Sequence, residues 1–227
     1  MRFLNRSEAG RALAEKLKDY RARNPVVLAL PRGGVPVGVE IATALDAPLD
    51  VVLVRKLGVP FQPELALGAV VDGVPPEVVV NEEIRDTLEL PESYLAEATA
   101  IQLKEIERRR RLYLGSRPPV DVAGRTAILV DDGMATGATM LAALRATRHR
   151  RPAAVVAAAP VGAVDTIARL QAEADAVVCL LTPLTMGGVG QFYQDFRQVD
   201  DATVAALLAE RATRRGHARG DREQLGA

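Results

Sequence analysis

The sequence predicts an open α/β fold, a mainly parallel sheet with helices on both faces, plus a helical insertion or hood. Three observations carry that prediction. Valine-rich apolar runs of about five residues recur along the chain, too short for helices and too continuous for half-exposed strands. Stretches of helical length lie between them, giving repeated strand-helix alternation. With 227 residues, 48% apolar and 26% charged, the chain is long enough for one domain and a modest appendage.

The elements follow in order. Residues 7–23 place Ala9, Leu13, Leu17 and Tyr20 on one helical face, and Asn5 with Glu8 has the spacing of a capping box. Apolar runs at 26–30, 51–54, 126–130, 154–159 and 176–181 read as buried strands. Helical stretches at 35–45, 138–148 and 164–173 connect them. Residues 67–80 read as a hairpin turning near Asp72-Gly73, and the segment 82–113 as a wholly helical insertion. The arginine run 108–111 at its end reads first as a solvated helix terminus, with cations favourably placed near the C-terminal dipole. One domain over 1–208 is expected, followed by a basic tail, 209–227, that is disordered or weakly helical.

Composition removes several function classes. Lys+Arg and Asp+Glu both number 29, so the chain lacks the excess of cations that wrapping nucleic acid requires. No window approaches eighteen uninterrupted apolar residues and the first ten lack the apolar core of a signal peptide, so a cytoplasmic protein is expected, neither membrane-spanning nor secreted. The lone cysteine, Cys179, sits in the apolar run AVVCLL and reads as core filler. Both histidines, His149 and His217, lie among arginines, which is poor raw material for a Ser-His-Asp or Cys-His mechanism.

The chemistry concentrates in ILVDDGMATGATM, residues 128–140. A buried strand delivers Asp131 and Asp132 at its carboxyl end, where ligands of such sheets bind. A turn of small residues then opens a helix, and Thr136, Gly137, Ala138 and Thr139 can turn N–H groups and two hydroxyls around one phosphate. Rival nucleotide motifs fail. A P-loop needs lysine after glycine, and none of the four lysines (Lys16, Lys18, Lys56, Lys104) has one before it. The first strand is followed by PRGGVPVG, not by G-x-G-x-x-G, and lacks the acidic residues that close the first strand of a phospho-receiver.

VDDGMATGAT resembles the signature of the type I phosphoribosyltransferases, which bind 5-phosphoribosyl 1-diphosphate with Mg2+. The resemblance implies that Asp131 and Asp132 hold the ribose 2- and 3-hydroxyls, with Mg2+ arriving through the substrate and touching this acid pair, and that residues 135–139 hold the 5-phosphate. It also implies a diphosphate loop at Arg32-Gly33-Gly34, with a non-proline cis bond at Pro31-Arg32. Arg55-Lys56 resembles the basic pair that meets diphosphate in adenine and orotate enzymes, and 57–65 would be a mobile lid. Ala135 replaces the aspartate of hypoxanthine-guanine loops, as in adenine-type loops. In rhythm, 189–200 resembles a base-pocket segment, so that Phe192 or Tyr193 would stack on an acceptor and Arg197 would approach diphosphate; a core aromatic pair is the competing reading.

The implied activity is transfer of the phosphoribosyl group to a nitrogenous base, a purine before a pyrimidine, with release of diphosphate. Arg55 and Lys56 would neutralise the leaving group, while Asp131 and Asp132 orient the sugar near the developing positive charge. No general base is evident; Glu64, Glu82 and Glu83 are candidates. The rival is a non-catalytic ligand-sensing regulator on the same fold. A homodimer is expected by resemblance, and a nucleic-acid or membrane partner is not.

Overall fold

A computed structural model describes residues 2–60, 62–73 and 75–225. Five parallel strands form the main sheet in the order β2-β1-β6-β7-β8. They are β1 (Pro25–Ala29), β2 (Leu49–Val51), β6 (Thr126–Val130), β7 (Ala154–Val161) and β8 (Ala176–Leu181). Continuous apolar runs form β1, β6 and β7 because both faces are covered, whereas β8, at the sheet edge, is half-buried throughout and not the buried strand expected of 176–181. Val27, Ala29, Ile128 and Val130 face one core, shared with α1 (Arg6–Leu17), α2 (Gly34–Leu45), α4 (Glu92–Leu114) and α7 (Asp201–Leu225). Their neighbours Val26, Leu28, Ala127 and Leu129 face a second core beneath α5 (Ala138–His149) and α6 (Val164–Gln171). Each fully buried Leu or Ile contributes about 1.5–3 kcal/mol.

At the N-terminus, the Asn5 side chain accepts from the Glu8 N–H at 2.9 Å, the first half of a capping box. The Glu8 carboxylate accepts from the Leu4 N–H, one residue before the predicted partner. The helix stops at Leu17, and a 3-10 turn (Lys18–Arg23) completes the segment read as one helix.

Four further expectations need correction. The run 51–54 is not one strand: β2 ends at Val51 and β3 (Val54–Val59) starts a second sheet. That sheet is antiparallel, in the order β3-β4-β5, with β4 (Gln62–Val71) and β5 (Glu77–Val80). The stretch 57–65, expected as a mobile lid, therefore includes the end of β3 and the start of β4, with irregular register between Leu57 and Val59. Its glycine and prolines read as loop because a bulged hairpin uses the same residues. The insertion is two helices, α3 (Glu82–Thr87) and α4, broken where Pro91 caps α4. Finally, α7 carries the chain past residue 208 to Leu225 without a break. Arg211, inside the expected tail, is buried and donates to the Ala42 and Ala47 carbonyls at 2.9 and 3.1 Å.

Because the five main strands are parallel, everything leaving their carboxyl ends shares one edge. That edge collects the loop after β1, the start of β3, the loop after β6, and the segments after β7 and β8.

Candidate active site

Strand β6 ends by presenting Asp131 and Asp132, and the loop after β1 is pressed directly against them. A Cβ on Gly33 would lie 2.0 Å from Asp132 Oδ2, and one on Gly34 2.4 Å from the Val130 carbonyl. Only glycine permits this approach. The Pro31-Arg32 peptide is cis, as the resemblance implied. Burial first, and the charge of Asp132 second, push Asp131 well above the usual carboxylate range, while the charge of Arg6 pulls the other way.

The small-residue loop that follows is turned by Gly137, which sits in the left-handed region at φ 72 and caps α5. Two side chains of α6 hold its carbonyls: Thr166 Oγ1 donates to Ala135 O at 2.6 Å and Arg169 Nη2 to Thr136 O at 2.7 Å. With those oxygens engaged, the N–H groups are the free side of the loop. Among the described residues no backbone carbonyl accepts from the N–H groups of 135–140; the first main-chain bond into the helix is Leu141 N–H to Gly137 O, 2.8 Å. Unpaired amides at a helix start, aided by the helix dipole, suit an anion.

The cations are arranged less simply. Arg32 Nη1 lies 3.7 Å from Asp201 Oδ1, which also accepts from the Tyr113 hydroxyl at 2.5 Å. Arg55 donates to Gln102 of α4 at 2.9 Å, and Lys56 is exposed on β3. Arg197, expected near diphosphate, instead pairs with Asp195 at 2.6 Å and is almost fully exposed. The run 108–111 is not a free basic face. Arg108 and Arg109 pair with Glu105, Arg110 with Asp72 and Arg111 with Glu107.

The aromatic expectation divides. Tyr193 is buried, stacked on Phe196 with centroids 5.0 Å apart, and its hydroxyl donates to the Asp132 carbonyl at 2.6 Å. Its ring is core, as the competing reading had it, and its hydroxyl braces the acid pair. Phe192 beside it is half-buried. Glu82 pairs with Arg85, and it borders a cavity of about 340 Å3 that also touches Ala138 of the phosphate loop. Glu83 is exposed; Glu64 and His217 lie outside the residues whose side chains are described. Burial raises the Cys179 thiol to about 11, which suits core filler.

Sequence reasoning missed Arg6, Thr166, Arg169, Asp201 and Tyr113. Arg6 Nε donates to Asp132 Oδ2 at 2.7 Å across 126 positions, a contact that no local pattern announces. Thr166 and Arg169, three apart on a predicted helix, share a face, and that spacing was the one available signal.

For Mg2+, the donor set is partial. Among the described residues no group of three or more His, Cys, Asp or Glu side chains could hold a metal. Two adjacent carboxylates at an anion loop do fit a cation that is shared with substrate phosphate oxygens.

A parallel α/β sheet whose carboxyl edge joins two carboxylates, a two-glycine loop and a helix start with unpaired amides defines the class: an α/β domain with the edge geometry suited to phosphorylated ligands. A family model, "Phosphoribosyl transferase domain", matches residues 4–195, and the chain belongs to that transferase family. Two Mycobacterium tuberculosis proteins, "Putative phosphoribosyl transferase Rv0571c" and its counterpart MT0597 of strain CDC 1551, are each 46% identical over 207 residues. The alignment covers 91% of this chain and 46% of each relative, so the chain spans about half the length of these curated relatives. The crystal structure of TT1426 from Thermus thermophilus is 44% identical, with TM-score 0.79 over 92% of this chain and 99% of that one. No helix among the described residues is long and apolar enough to cross a membrane.

Proposed function

We propose that this domain transfers the 5-phosphoribosyl group from 5-phosphoribosyl 1-diphosphate to a nitrogenous base, a purine in preference to a pyrimidine, releasing diphosphate. One observation carries the reading: the loop of Arg32, Gly33 and Gly34 is packed on Asp132 so tightly that a Cβ at Gly33 would sit 2.0 Å from its carboxylate. The groups assigned to diphosphate and to sugar are thereby in direct contact, and the loop 135–139, assigned to the 5-phosphate, follows immediately on the acid pair. The anomeric carbon of a substrate spanning all three would sit between its leaving group and the acid pair.

In that arrangement the protein's work is positioning and electrostatics. Asp131 and Asp132 take the ribose hydroxyls and stabilise positive charge developing on the sugar. The amides of Arg32 and Gly33, with the Arg32 side chain, meet the departing diphosphate, since the Gly34 N–H already donates to Leu30 O at 3.0 Å; Arg55 and Lys56 approach it from β3. Asp131 and Asp132 would help hold a Mg2+ that arrives with the substrate, and that ion would supply further positive charge for the leaving group. Hairpin β3-β4 takes the place of the expected lid and would limit water at the reacting carbon. The purine preference rests on Ala135, the adenine-type choice at that loop position. The family resemblance extends to a homodimer and a cytoplasmic setting, both proposed on that ground alone.

The test is calorimetric titration with 5-phosphoribosyl 1-diphosphate and Mg2+, then a panel of purine and pyrimidine bases with diphosphate release monitored. Binding with base-dependent release is expected, and the base that triggers it names the acceptor. Binding without release for any base would point to the sensing regulator, and no binding would remove the reading of 128–140.

A further inference from the structure

We propose that Arg6 is a positioning residue for the sugar: it clamps one oxygen of Asp132 so that the ribose meets a carboxylate of fixed orientation. The proposal rests on the functional reading above. A carboxylate on a short side chain swings broadly about its last torsion, and one that must accept from particular hydroxyls loses affinity by doing so. Arg6 removes that freedom. Its Nε donates to Asp132 Oδ2 at 2.7 Å, with side-chain exposures of only 11% and 14%.

The guanidinium is itself held on three sides. Besides Asp132 it donates from Nη1 to the Arg197 carbonyl at 2.9 Å, and its plane lies over the Phe196 ring, 3.9 Å from the centroid. Phe196 is stacked in turn on Tyr193, whose hydroxyl fixes the main chain of Asp132. The segment carrying Arg6 is anchored to the same place. Phe3 N–H donates to Phe192 O at 2.8 Å, Gln194 N–H to Phe3 O at 2.8 Å, and Asp195 N–H to Leu4 O at 2.9 Å. Both flanks of the family domain, 3–6 and 192–197, thus converge on one carboxylate. Half-buried Asp195, on the same segment, pairs with Arg197 instead.

The experiment compares wild type, Arg6→Gln, Arg6→Lys and Phe196→Leu by calorimetry with three ligands: 5-phosphoribosyl 1-diphosphate with Mg2+, ribose 5-phosphate, and inorganic phosphate. Arg6→Gln should weaken both sugar phosphates about tenfold, as loss of a hydrogen bond to a charged group does. Inorganic phosphate, which needs only the loop at 135–139, should bind as to wild type. Arg6→Lys should recover part of the loss, because an ammonium restores the charge without spanning Asp132 and the Arg197 carbonyl. Phe196→Leu, which keeps the ion pair and loosens its support, should fall between wild type and Arg6→Gln. Equal loss for all three ligands would assign Arg6 to general stability and overturn the proposal, as would sugar affinities unchanged in Arg6→Gln. Should Arg6→Gln not fold, the same ligand comparison on Arg6→Lys and Phe196→Leu decides. Failure of wild type to bind 5-phosphoribosyl 1-diphosphate would remove the functional reading itself, and this proposal with it.

Discussion

Asp132 has its surroundings on three sides: Arg6 on one oxygen, Tyr193 on its carbonyl, and the bare Cα of Gly33 against its carboxylate. Burial and the charge of Asp132 raise the Asp131 carboxyl well above its usual range. Replacing both with asparagine should abolish binding of 5-phosphoribosyl 1-diphosphate while circular dichroism and melting show a folded domain. Unchanged affinity in that variant would remove the acid pair from the site. At this scale the sequence disclosed Asp131, Asp132, Gly33 and Gly34, because each stands in a local pattern whose chemistry can be read from neighbours. It did not disclose Arg6 or Asp201, whose partners lie far along the chain.

Among the elements, the loop into α5 is the most legible. Its strand, small-residue turn and helix lie where periodicity puts them, 126–130 and then 138–149. Gly137 is the hinge: at φ 72, an added Cβ would also stand 2.5 Å from the Thr166 methyl. Gly137→Ala should cost about 1–3 kcal/mol in denaturant unfolding, from the left-handed backbone and the crowding of a buried side chain. It should also weaken phosphate by displacing the loop, and a variant as stable as wild type would show that the turn relaxes freely. The hairpin β3-β4 is the least legible element. Valine runs in a main-sheet strand and in a small antiparallel sheet look alike, and Gly58 reads as loop until its pairing with Ala66 fixes it in a bulged ribbon.

Across the whole molecule, α4 is tied to the antiparallel sheet by Arg110, which donates to Asp72 Oδ2 at 2.5 Å; Asp72 also accepts from Leu53 N–H at 2.8 Å. Burial raises the Asp72 carboxyl to about 6 from 3.8, and the bond from Leu53 and the charge of Arg110 only partly offset it. A carboxyl raised on folding binds its proton more tightly in the folded state. Its stabilising contribution is complete below about pH 4 and lost as pH rises through about 6. A rise of this size corresponds to about 3 kcal/mol. Relative to Asp72→Asn, which stays neutral, wild type should lose stability by roughly that amount between pH 4 and pH 7. Urea unfolding at several pH values checks this, and parallel pH curves for the two proteins would refute it.

The sequence by itself determined the α/β class, the strands of the main sheet apart from the split at 51–54 and the half-exposure of β8, and the placing of the acid pair and small-residue loop at the end of β6. Each of these follows from periodicity or from residues adjacent in the chain. Tertiary structure alone decided the ion pairs between remote segments, Arg110 with Asp72 and Arg6 with Asp132, whereas Arg108, Arg109 and Arg111 pair within α4 at helical spacing. It also decided that Tyr193 supports the site from below and that α7 continues through the expected tail. Charge pairing and burial depend on distances between segments remote in sequence, and those distances exist only once the sheet has brought its carboxyl edge together.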